Sequence, residues 1–135
     1  MSELELDHIG IAVHSIADRA SFYEVLGLEL EGIEEVVEQG VRVAFLPVGA
    51  PRIELLEPLD ASSPIARHLD RRGPGIHHLC FAVDDIRAAM ARLSEAGYRL
   101  LSEEPEAGAH GCQVCFVHPS SAGGVLIELS QPPEE

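Results

Sequence analysis

Two histidines and two glutamates recur at matched places in this chain. His8 heads the apolar run Asp7-His-Ile-Gly-Ile-Ala-Val13, and His78 heads His77-His-Leu-Cys-Phe-Ala-Val83, 70 residues later. Glu54 sits in Ile53-Glu-Leu-Leu56 and Glu128 in Ile127-Glu-Leu-Ser130, 74 residues apart. A lone histidine beside apolar residues is more often a core histidine bonded to backbone than a ligand. A lone glutamate in Ile-Glu-Leu is more often the wet face of an edge strand. Here both types recur in both halves, and each glutamate lies between apolar residues on a strand that reads as buried on both sides, where an unpaired carboxylate is costly. Two imidazoles and two carboxylates suit a divalent ion of the cobalt, nickel, manganese, magnesium or zinc group. Four protein ligands with two positions left for water or substrate favour an octahedral ion over tetrahedral structural zinc.

The elements that must position these residues repeat as well. Leu4 to Val13 alternates as a strand. Ser15 is an N-cap for a helix with Ile16, Ala20, Tyr23 and Leu26 on one face and Gly27 as its stop. Leu28 to Val37, Val41 to Pro47 and Arg52 to Glu57 read as strands, the first two separated by the turn Glu38-Gln-Gly40. Ser62 to Leu69 reads as a short helix with Pro64 in its first turn, broken by Arg72-Gly-Pro-Gly75. The order then starts again: a strand from His77, a helix from Asp85 to Ala96 closed by Gly97, a strand over Tyr98 to Leu101, and, after a Gly-rich turn, strands over Cys112 to Val117 and Val125 to Leu129. Each half is a β-α-β-β-β unit too small to bury a good core alone. The expected fold is therefore α+β: two paired β-α-β-β-β modules, about residues 4–60 and 75–131, joined by a short helix and forming one domain around a shared metal-binding cavity.

Composition narrows the function. A formal net charge of −14 argues against nucleic acid, since nothing here neutralises phosphates at useful density. It also makes an anionic substrate depend on local clusters of arginine, of which Arg67, Arg71 and Arg72 form the obvious one. No run is long enough to span a bilayer, and Met1-Ser-Glu-Leu-Glu-Leu6 lacks a basic head followed by an apolar run, so a cytoplasmic protein without a signal peptide is expected. Cys80, Cys112 and Cys115 have no zinc-type pairing and read as buried, reduced thiols.

The motifs together resemble the vicinal oxygen chelate superfamily of glyoxalase-like paired modules and, within it, the methylmalonyl-CoA epimerases. The resemblance runs from about Leu6 to Gln131. It rests on Asp7-His-Ile-Gly-Ile-Ala-Val13, Glu38-Gln-Gly-Val41, Ile53-Glu-Leu-Leu-Glu-Pro58, Ser63-Pro-Ile-Ala66, Gly75-Ile-His-His-Leu79, Ala109-His-Gly111, and His118-Pro119 leading to Gly124-Val-Leu-Ile-Glu-Leu129. It implies that His8, His78 and Glu128 are metal ligands and that Glu54 takes the remaining position, where relatives carry Gln or Glu. It further implies inversion at carbon 2 of an acyl-CoA substrate, methylmalonyl-CoA, through a metal-stabilised enolate, with Glu128 as a catalytic acid/base, in a homodimer.

One position departs from part of the family. Val43 stands where some relatives carry glutamate, so the second acid/base that inversion requires must lie elsewhere; Glu38, His110 and a water are the candidates. Other readings compete. A glyoxalase-I-type isomerase or a ring-cleaving dioxygenase could use the scaffold, although iron dioxygenases show two histidines and one carboxylate and lack a counterpart of Glu54. A non-catalytic resistance-type binding module usually lacks the full ligand set. His77 should point away from the site that His78 enters.

Overall fold

The alternation that makes each strand two-faced sets the architecture. The computed structural model describes residues 4–134. In chain order the elements are β1 (Glu5–Ala12), α1 (Ile16–Leu26), β2 (Gly32–Val36), β3 (Val41–Pro47), β4 (Arg52–Pro58), α2 (Pro64–Arg72), β5 (Gly75–Ala82), α3 (Ile86–Glu95), β6 (Glu106–Ala107), β7 (Gln113–Val117) and β8 (Ile127–Gln131). The chain divides into two units, one of residues 8–77 and one of residues 78–134 together with 4–7.

In the first unit the strand order is β2-β3-β4-β1. The hairpin strands are antiparallel, and β4 returns parallel to β1 with Glu54 opposite Gly10. One face carries Ile11, Val13, Ala44, Leu46, Ile53 and Leu55, which pack with Ile16 and Ala20 of α1 into the half's hydrophobic core. The second unit repeats this as β5-β8-β7-β6, with β8 parallel to β5 and Glu128 opposite Cys80. Its core is assembled from the matched positions: Phe81, Val83, Ile86, Met90, Cys115, Ile127 and Leu129. Since neighbours across a ladder share a face, the opposite face of each sheet is left to the histidine and glutamate of that half.

Each helix is tied to the last strand of its own half. The Ser15 hydroxyl accepts from Asp18 N–H and the Asp85 carboxylate from Ala88 N–H, so both helices have side-chain N-caps. A second acceptor comes from far along the chain: Ile16 N–H donates to Glu57 at 2.9 Å, and Ile86 N–H donates to Gln131 at 2.8 Å. Glu57 and Gln131 lie three residues beyond Glu54 and Glu128, so alternation turns them to the helix side. Gly27 closes α1 in the left-handed region at φ 110°, a conformation that favours glycine.

The structure corrects four expectations. Residues 28–31 and 98–101 are not strands: the first meets β3 through Glu31 N–H to Phe45 O, and the second forms only an isolated bridge, Leu100 opposite Val117, with Leu101 N–H donating to Phe116 O and His118 N–H to Arg99 O. The Glu31 and Leu101 bonds are a matched pair, so the repeat holds where the strand assignment does not. In the second half the partner for β7 comes instead from the two-residue β6, beyond Pro105, which has no backbone N–H to give a ladder. The linker helix runs past Leu69 through Arg72, because the chain breaks only at Gly73, and it begins at Pro64 with Ser63 as its cap. Finally, Cys80 and Cys115 are buried but Cys112 is only half-buried; none of the three is in a disulfide.

Candidate functional site

In the first unit, His8 on β1 and Glu54 on β4 meet with Nδ1 3.0 Å from Oε2, both side chains nearly buried. The parallel register places His8 beside Arg52 and Gly10 beside Glu54, so these residues share the face turned away from the α1 core. Arg52 Nη2 donates to the same Glu54 Oε2 at 2.9 Å, and its guanidinium lies over the Phe45 ring, 5.6 Å from the centroid. Phe45 is opposite Glu54 on β3, and Val43, opposite Leu56, faces the same way as an apolar wall. A buried valine here leaves no carboxylate at the position where some relatives carry one.

In the second unit, His78 Nε2 lies 2.9 Å from Glu128 Oε1. Phe116, opposite Glu128 on β7, meets the His78 ring edge-on at 6.2 Å. The two halves therefore build the same three-part arrangement of a first-strand imidazole, a last-strand carboxylate and a phenylalanine. His8, Glu54, His78 and Glu128 are all buried. Burying four ionisable side chains is costly unless each is paired or ligating, and both imidazole and carboxylate are donors that borderline divalent ions accept. The donor set fits a divalent cation, and His8, His78 and Glu128 carry ligating atoms suited to one.

The remaining candidates separate from these pairs. His77 sits on the other face of β5 and stacks edge-on against His68 of α2, ring centroids 4.9 Å apart. Burial, aided by the Arg72 charge, holds His68 below the ordinary imidazole range. His14 and Glu38 are exposed. His110 is also exposed and is the one non-glycine residue with positive φ among the described residues, at 56°. The His118 ring closes its own loop, Nδ1 accepting from Ser120 N–H at 3.0 Å, as a turn-forming residue does. Arg42, on the helix side, is held by Glu57 at 2.6 Å and Glu35 at 2.9 Å, and those carboxylates raise its pKa. Arg52 was missed by the sequence reading. It lies two residues before Glu54 on an alternating strand, which was signal enough to place it on the ligand face.

Comparison with known proteins agrees with this geometry. Residues 7–116 match the family model of the glyoxalase/bleomycin resistance protein/dioxygenase superfamily. The ethylmalonyl-CoA/methylmalonyl-CoA epimerase of Cereibacter sphaeroides is 45% identical over 129 residues, covering 93% of this chain and 96% of the relative. A solved methylmalonyl-CoA epimerase from Mycobacterium tuberculosis superposes with a TM-score of 0.91 at 44% identity, over 96% of this chain and 88% of that one. A variant of the Streptomyces coelicolor methylmalonyl-CoA epimerase, in complex with 2-nitronate-propionyl-CoA, gives a TM-score of 0.91 at 37% identity, over 96% and 97%. With the paired modules and both His–Glu pairs in place, the chain belongs to the methylmalonyl-CoA epimerase family of the glyoxalase-like, vicinal oxygen chelate superfamily.

Proposed function

We propose that this protein interconverts the (R) and (S) forms of methylmalonyl-CoA by removing and returning the proton at carbon 2. The observation that carries the reading is the buried His–Glu pair built at the same place in each half of a chain with close epimerase relatives. We assign His8, Glu54, His78 and Glu128 together as ligands of one divalent ion, cobalt before manganese, nickel, magnesium or zinc. Such an ion, when bound, supplies positive charge to the thioester oxygen on which negative charge develops as the proton leaves. Glu128 takes the proton from one face of carbon 2. Inversion needs a group for the other face, and Glu54, the repeat counterpart of Glu128, fills that role in place of a carboxylate at Val43. Val43 and Phe45 in the first half and Phe116 in the second give each pair an apolar neighbour, the kind of lining that keeps water from a carbanion.

The test is exchange of the carbon 2 hydrogen of methylmalonyl-CoA with deuterated solvent by the metal-loaded protein. Exchange with racemisation supports the reading. No exchange, alongside turnover of the glutathione hemithioacetal of methylglyoxal, moves the protein to glyoxalase-type isomerisation.

The same reading includes a homodimer in the cytoplasm. Helix α1 shows Phe22, Val25 and Leu26 to solvent, 53%, 89% and 66% exposed. The matched positions of α3 are Arg92, Glu95 and Ala96. An apolar helix face on one half only is what a subunit contact would use. Sedimentation of a Phe22→Arg/Val25→Glu double variant, which copies α3 onto α1, should show a monomer where the parent is a dimer; a parent that is already monomeric removes this part. Among the described residues no helix is long and apolar enough to cross a membrane.

A further inference from the structure

The His–Glu pairs are copies of each other, but their surroundings are not. Two residues before Glu54 stands Arg52; at the matched place before Glu128 stands Leu126. Arg52 donates to Glu54 Oε2 at 2.9 Å, and its side chain keeps 24% of its surface exposed while that of Glu54 keeps 6%. The simplest role for such an arginine is to neutralise a buried carboxylate. The second half argues against that as a sufficient account, because it holds its pair at 2.9 Å with a leucine at that position. A His–Glu pair of this geometry does not require an arginine two residues before its glutamate.

We propose that Arg52 is a substrate-positioning and specificity residue: its guanidinium receives the free carboxylate of a malonyl-type acyl thioester. This rests on the epimerase reading and names the part of the substrate that the residue reads. Three features support it. Arg52 lies on the ligand face, in register with His8. Its guanidinium lies over the Phe45 ring, 5.6 Å from the centroid, with Phe45 opposite Glu54, and Nη2 is held by Glu54 at 2.9 Å. And a chain with a net charge of −14 repels an anionic acid unless a cation stands where that acid must bind. Guanidinium and carboxylate match in geometry and form paired, charge-assisted hydrogen bonds. An anchor on the carboxylate, together with thioester recognition, leaves the carbon 2 hydrogen as the part of the acyl group that inversion moves. It also distinguishes a malonyl thioester from a simple acyl thioester of the same length.

The experiment compares two inhibitors on the metal-loaded enzyme, malonyl-CoA, which has the carboxylate, and propionyl-CoA, which lacks it. In Arg52→Gln the inhibition constant for malonyl-CoA should rise about ten- to a hundredfold, the loss of a charged hydrogen-bonded contact. Propionyl-CoA should move by less than about twofold on the same scale, and Arg52→Lys should recover part of the malonyl-CoA affinity. Metal content and melting temperature are measured on each variant. Equal loss for both inhibitors overturns the proposal, as does loss of metal with no change in the ratio of the two constants; either would make Arg52 a support for Glu54 only. If the parent protein binds neither thioester, the epimerase reading itself fails, an outcome distinct from a failure confined to Arg52.

Discussion

The two halves of this protein are alike at their His–Glu pairs and unlike almost everywhere beside them. His8 pairs through Nδ1 and His78 through Nε2. Gly10 lies opposite Glu54, whereas the buried Cys80 lies opposite Glu128. In the cores, Ala20 and Ala44 of the first half are replaced at the matched positions of the second by Met90 and Cys115, while Tyr23 gives way to the smaller Leu93. Size is exchanged between neighbouring positions, as a close-packed interior demands when a residue changes volume. The difference teaches that the geometry of the His–Glu pair depends on strand register, which both halves keep, and tolerates repacking on either side of it.

Breaking one ligand at a time should separate the halves most sharply. Glu128→Gln and Glu54→Gln should each slow inversion by about 10²–10⁴-fold, the usual contribution of a positioned acid/base. Each should still exchange the carbon 2 hydrogen of one enantiomer, and the two variants should choose opposite enantiomers. Proton NMR in deuterated buffer reads this directly, and identical enantiomer preference in both would end the two-carboxylate assignment.

The cores offer the next comparison. Leu55 and Leu129 are matched, the first fully buried and the second 6% exposed. Truncation to alanine should cost about 2–5 kcal/mol at either site in denaturant unfolding, with the larger loss at Leu55.

A third test uses Cys115, whose thiol burial pushes up from 9.0 to about 11. The unfolded thiol ionises first as pH rises, so native stability is intact below about pH 9 and declines between pH 9 and 11, by on the order of 2 kcal/mol. Cys115→Ala writes the residue of the first half, Ala44, into the second. Its alkaline unfolding curve should lose that decline relative to the parent.

The smallest effect is expected at the long-range caps. Glu57→Ala and Gln131→Ala should each cost about 1 kcal/mol, the usual value of an N-cap acceptor. Glu57 should cost more, because it also holds Arg42 at 2.6 Å. Equal losses, read from thermal unfolding, would mean that the Arg42 contact adds nothing.

Much of this was legible in the sequence because repetition exposes it. His8, Glu54, His78 and Glu128 could be singled out because each has a counterpart in the other half; the repeat separated His78, the counterpart of His8, from His77, and alternation separated Glu54 from Glu57. The edge segments 28–31 and 98–101 misled because their apolar alternation is real, yet the first reaches its neighbour through one backbone bond and the second through an isolated bridge, which sequence pattern does not distinguish from a ladder. Arg52 escaped notice for the opposite reason: attention to what the halves share passes over the residue that only one of them has. The caps from Glu57 and Gln131 span 41 and 45 residues, beyond the reach of any local signal.

Those caps also bear on how faithfully the chain folds. Each last strand presents the glutamate of a His–Glu pair to one face and, three residues on, a helix cap to the other. A slip of one residue in its pairing would turn both to the wrong side at once. A mis-registered strand would thus lose the N-terminal hold on its helix as well as its contribution to the site. The helix start serves as a proofreading contact, penalising in the folding chain the same errors that would leave the finished enzyme without a centre.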